Sequence, residues 1–182
     1  MTSKAERAAL GVLQRLEIAS IPIDVETIAE LLDIRVVFES LPYETSSVLI
    51  REGDGKRVIG VNARHSRKRQ RFSVAHEIGH ATLHLDDEPR DDGEAAVSRP
   101  LEVLFRDGLA SSGTSGIEIE ANTFAANLLM PQLLVHEAFR DCWDREPSRP
   151  LDSVLDDLAN EFDVSNQAMR YRLVNLGLID PT

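Results

Sequence analysis

The pentad His76-Glu77-Ile78-Gly79-His80 constrains this chain more than any other feature. It lies in a stretch, residues 70–84, whose apolar positions Phe72, Val74, Ala75, Ile78, Ala81 and Leu83 follow a helical period. On a helix, positions four apart differ by about 40° in azimuth and about 6 Å along the axis, so the imidazoles of His76 and His80 can converge on one ion. Glu77 projects beside the pair, where its carboxylate can reach a water on that ion without replacing it as a ligand. Gly79 sits mid-helix at a cost of roughly 1 kcal/mol relative to alanine, which implies that another backbone or side chain packs close to it.

A catalytic zinc takes three protein ligands and keeps one position open for water, so a third ligand must come from another element. The segment Glu118-Ile119-Glu120-Ala121-Asn122-Thr123-Phe124-Ala125-Ala126 places carboxylates at the start of a later helical pattern. Glu118, Asn122 and Ala125 share one face, Glu120 points elsewhere, and the small alanines permit close helix packing.

The rest of the chain supplies a scaffold for such a site. Apolar positions at helical spacing predict helices over residues 3–18 and 24–33, with Pro22 between them and Asp24 as N-cap of the second. The period then changes. Ile34 to Phe38 reads as a strand, and Ser47 to Ile50 with Val58 to Val61 reads as a hairpin around Gly53-Asp54-Gly55. After the motif helix, residues 86–94 are an acidic solvated loop, Leu101 to Phe105 alternate as a strand, and residues 111–116 form a Ser/Gly loop. Helix returns over residues 117–129, and Pro131 opens another. After Pro147 and Pro150, two helical patterns, residues 151–162 and 165–176, flank Asp163-Val164-Ser165 and end at Gly177.

RFSVAHEIGHATLH and EIEANTFAANLLMP resemble the two signature segments of the ImmA/IrrE family of metallopeptidases. The resemblance covers roughly residues 24–135. It implies that His76, His80 and Glu118 bind zinc, with Glu120 as the alternative third ligand, that Glu77 is the general base, and that Asn122 supports a ligand from behind. It implies an α+β, zincin-like fold: a small twisted β-sheet packed on the motif helix and on a second, glutamate-bearing helix. A C-terminal helical hairpin completes the expectation, with a peptidase domain over residues 1–146 and a helical extension over 147–182. In related peptidases an edge strand before the third-ligand helix binds extended substrate, and residues 101–106 occupy that place. The implied function is zinc-dependent endopeptidase, its substrate a regulatory protein such as a helix-turn-helix transcriptional repressor.

Bulk properties fit this reading. The formal charge of −11 repels nucleic acid, and no segment has the apolar length of a membrane span. A single cysteine, Cys142, excludes an internal disulfide framework and points to a reducing, cytoplasmic setting. The competing function is a non-catalytic metal-binding regulator that uses its C-terminal helices on a protein or DNA partner. Residues 158–173 do resemble a helix-turn-helix in which Arg170 and Arg172 could face a duplex, but Asp156, Asp157, Glu161 and Asp163 crowd the first helix and turn. His84 lies a turn beyond His80, away from the ion, and His65 and His136 read as ordinary surface or boundary residues. The basic cluster Arg64, Arg67, Lys68, Arg69 and Arg71 reads as a solvated lead-in to the motif helix.

Overall fold

The computed structural model describes residues 2–53, 55–84, 96–98 as main chain, 116–145 and 148–181. The acidic loop at 86–94, the strand expected at 101–106 and residues 111–115 lie outside them. Helix α1 (Lys4–Arg15) begins at a capping box, in which Ser3 accepts from the Glu6 amide and Glu6 reaches back to the Ser3 amide. Helix α2 (Val25–Leu31) is capped by Asp24, whose carboxylate accepts from the amides of Glu26 and Thr27.

Strands β1 (Ile34–Glu39), β2 (Ser47–Arg51) and β3 (Arg57–Asn62) follow at the places their β-branched runs predict. The sheet order is β1-β3-β2-β4, where β4 (Ala96–Ser98) is a short outer strand. β1 pairs parallel with β3, while β2 is antiparallel to both β3 and β4. The β2–β3 turn needs Gly55 at φ 85, and Val48 lies so close over Gly60 that a Cβ there would sit 2.9 Å from its Cγ2.

Helix α3 (Arg67–Leu83) carries the motif and packs on β2 and β3. It begins three residues earlier than its apolar period suggests, because Arg67, Lys68 and Arg69 are already helical, while Arg64 precedes the helix. Helices α4 (Gly116–Leu129) and α5 (Gln132–Arg145) are separated at Pro131, and α6 (Leu151–Glu161) and α7 (Asn166–Asn175) form the C-terminal hairpin. Asp163 takes the left-handed conformation at φ 50 in the turn between them, and Ser165 caps α7 by accepting from the Ala168 amide.

One buried cluster joins α1, the sheet, α3, α4 and both hairpin helices, through residues such as Leu13, Ile59, Ile78, Phe124, Leu158 and Met169. Two buried arginines stitch it together. Arg71 of α3 donates to the carbonyls of Ile23 and Asp163, at 2.9 and 3.2 Å, and pairs with the Asp163 carboxylate at 3.1 Å. Arg172 of α7 donates to Met130 O at 2.9 Å and to Asn127 Oδ1 at 2.8 Å.

These contacts correct two expectations. Arg71 is not a solvated lead-in residue but an interior tie, and Arg69 also reaches inward, to Ser46 Oγ, while Lys68 donates to Asn160 Oδ1 at the surface. Arg172 cannot face a duplex because it is buried, and Arg170 is engaged by Asp152 at 2.9 Å. Among the described residues, no helix is long and apolar enough to cross a membrane.

Candidate metal centre

The site forms where α3 and α4 approach more closely than ordinary helices can. Gly79 makes this possible: a Cβ there would stand 3.1 Å from Ala121 O, 3.1 Å from Phe124 Cδ1 and 3.2 Å from Ala121 Cα. The close approach that the mid-helix glycine implied is therefore a backbone contact. It draws the first turn of α4 over the middle of α3, and Glu118 arrives above the two imidazoles.

The resulting geometry is tight. His76 Nε2 lies 3.0 Å from His80 Nε2 and 3.3 Å from Glu118 Oε2, and His80 Nε2 lies 3.2 Å from Glu118 Oε1. Three donors bound tetrahedrally at about 2.0–2.1 Å would be roughly 3.3 Å apart, so these separations suit one small divalent ion. Among the described residues, His76, His80 and Glu118 are the group of His, Cys, Asp and Glu side chains able to hold one.

Their electrostatics fit the same purpose. Hydrogen bonds from His76 and His80 hold the Glu118 carboxyl well below the usual carboxylate range, against the opposing effect of burial. For His76, burial pulls the pKa down, but the bond to Glu118, the charges of Glu77 and Glu118, and the contact with Asn122 outweigh it and leave the value raised. His76 Nδ1–H donates to Asn122 Oδ1 at 3.0 Å. An amide oxygen can only accept, so this bond fixes the proton on Nδ1 and leaves the Nε2 lone pair of the neutral ring for an ion.

Glu77 is fully buried beside the triad. Ser47 Oγ–H donates to its Oε1 at 2.7 Å, while Oε2 is buried without a hydrogen-bond partner among the described residues. A buried carboxylate oxygen with nothing to accept from is costly unless a further polar group belongs beside it. A divalent ion with its water supplies such a group, and the residues present therefore fit a metal centre.

The remaining candidates fall elsewhere. Glu120 faces α1 and the end of α3, 3.8 Å from Lys4 Nζ and 3.6 Å from His84 Nε2, and does not join the triad. His84 is buried against Glu120, not turned to the other two histidines' shared space. His65 is more buried than a surface residue, with Nε2 3.0 Å from Tyr43 O, and His136 is half-buried on α5. Ser47 is the residue that reading the sequence did not single out: a lone serine at a strand start carries no spacing relation to the motif.

Comparison with known proteins bears on the family and the fold. The chain is 33% identical over 117 residues to the radiation response metalloprotease IrrE of Deinococcus radiodurans, an alignment covering 64% of this chain and 30% of that protein. It superposes on a Mycobacterium tuberculosis transcriptional regulator with a TM-score of 0.58 at 19% identity, covering 93% of this chain and 46% of the other, a likeness of fold. The chain thus spans less than half the length of either. The family model for the IrrE N-terminal-like domain, Peptidase_M78, matches residues 29–174. With that match spanning most of its length and both motif segments inside it, the chain belongs to the IrrE N-terminal-like peptidase family.

Proposed function

We propose that this protein is a zinc-dependent endopeptidase in which His76, His80 and Glu118 hold the metal and Glu77 is the general base. The observation that carries the proposal is the convergence of two imidazole nitrogens and one carboxylate within hydrogen-bonding distance of one another, next to a buried carboxylate with one oxygen unpartnered among the described residues. A set of two histidines and one glutamate is a catalytic zinc set that leaves a position open. A zinc ion bound there supplies Lewis acidity, acidifying a water and polarising a peptide carbonyl.

The chain's own residues perform the rest. Asn122 keeps His76 in the tautomer that presents Nε2. Glu118 is more exposed than the two histidines, and the peptide is proposed to approach from its side. Glu77 Oε2 takes one proton from the attacking water as the water oxygen bonds to the carbonyl carbon. When the carbon–nitrogen bond breaks, Glu77 Oε2 returns the proton to the departing amine.

The proposed substrate is a regulatory protein, such as a helix-turn-helix transcriptional repressor, cleaved in the cytoplasm. Support comes from the ImmA/IrrE resemblance, from a relative that is a metalloprotease of the radiation response, and from the chain's acidic charge, which disfavours nucleic acid as the target. Residues 1–146 are proposed as the peptidase unit and 147–182 as a helical extension that braces it. Glu77→Gln tests the reading: it should keep metal and fold yet lower cleavage of a co-expressed regulator at least 100-fold, on the order expected for a lost general base. Unchanged cleavage would refute the role assigned to Glu77.

A further inference from the structure

Ser47 stands at the start of β2, 1% exposed, on the sheet face that meets α3. Its surroundings leave it little freedom. It lies opposite Val61 on β3 and Ser98 on β4. The neighbouring Ser46 receives the Arg69 guanidinium on its hydroxyl at 3.0 Å and the Asn62 amide on its carbonyl at 3.0 Å. The Asn62 side chain in turn donates to the carbonyls of Pro42 and Thr45 at 2.9 and 2.8 Å, pinning the loop that leads into β2.

A hydroxyl held this firmly defines where its acceptor sits. The geometry points to Ser47 as a positioning residue for the proposed hydrolysis: by occupying Glu77 Oε1, it leaves Oε2 as the oxygen that takes up and returns the proton. This inference rests on Glu77 being the general base. The chemistry balances without rearrangement, because Oε1 accepts from Ser47 both when Oε2 is bare and when it carries the proton. A serine that only relieved a buried carboxylate would serve equally well with either oxygen directed at the site, and the experiment separates that role from positioning.

Cobalt(II) replaces zinc as a spectroscopic probe of the open coordination position, and the visible spectrum is compared for wild type, Ser47→Ala, Ser47→Thr, Glu77→Ala and the Ser47→Ala/Glu77→Ala double variant. Ser47→Ala should alter the cobalt bands and Ser47→Thr, which keeps the hydroxyl, should restore them. With Glu77 already removed, Ser47→Ala should change nothing further. In hydrolysis of labelled casein, Ser47→Ala should lower kcat roughly 10- to 100-fold at unchanged KM, the signature of a misplaced reacting group.

A cobalt spectrum indifferent to Ser47→Ala, or one that shifts equally when Glu77 is absent, overturns the inference while leaving the metal centre standing. Failure of the wild type to take up cobalt removes the metal reading itself, and the inference with it. Should Ser47→Ala not fold, Ser47→Cys, which keeps the side-chain shape at a somewhat larger volume and weakens the donor, carries the same comparison.

Discussion

At the level of single residues, the site is a set of groups whose protonation depends on each other. In the metal-free protein, the raised His76 pKa favours an imidazolium paired with the Glu118 carboxylate. A raised folded-state value contributes stability that is fully present below the ordinary imidazole pKa of 6.5 and is lost as pH rises through the higher folded value. Metal binding needs the neutral ring, so the ion competes with that proton. Apparent zinc affinity should therefore climb as pH rises through the His76 value, with proton release to the buffer. Titration calorimetry in buffers of different ionisation enthalpy would show the release, and buffer-independent heats would contradict it. His76, Glu77 and His80 could be read directly from the sequence because their relation is local, set by one helix's pitch. Glu118 required only a choice of helix face. Ser47 and Arg71 could not be read in this way, since a serine at a strand start and an arginine in a basic run acquire their roles from partners that only tertiary packing supplies.

At the level of elements, the distance between α3 and α4 decides whether Glu118 reaches the histidines, and Gly79 sets that distance. Gly79→Ala would gain about 1 kcal/mol of helix propensity. Its Cβ would press on Ala121 O and Ala121 Cα, which are backbone atoms and cannot rotate aside. Overpacking of this kind costs about 1–3 kcal/mol, so a net loss of stability of about 1 kcal/mol is expected, together with weaker zinc binding. Urea denaturation with a parallel zinc titration measures both, and a stabilised variant with unaltered affinity would show that the helices are not in limiting contact. The helices and the three longer strands followed their periodicity and caps. The outer strand β4 did not, because three residues pairing on an edge leave no period to detect.

The described residues share one core, and the two helices that carry the candidate ligands are each tied to the C-terminal hairpin by a buried arginine. Burial lowers the pKa of the Arg172 guanidinium, yet its two acceptors lie where a planar fork can meet both. Arg172→Met would leave Met130 O and Asn127 Oδ1 without that donor, at a cost of about 1–3 kcal/mol. Chemical denaturation should show this loss, and Arg172→Lys should recover little of it because an ammonium lacks the fork. An unchanged midpoint would mean that the hairpin does not brace the site. Whether two imidazoles and the Glu118 carboxylate form the ion site is decided by zinc titration of the wild type, Glu118→Ala and Glu120→Ala. One tightly bound ion per chain is expected in the wild type and in Glu120→Ala. Glu118→Ala should lose more than about 100-fold in affinity, exceeding the usual cost of removing a residue behind a ligand. Undiminished binding by Glu118→Ala, or loss in Glu120→Ala instead, would contradict that ligand set.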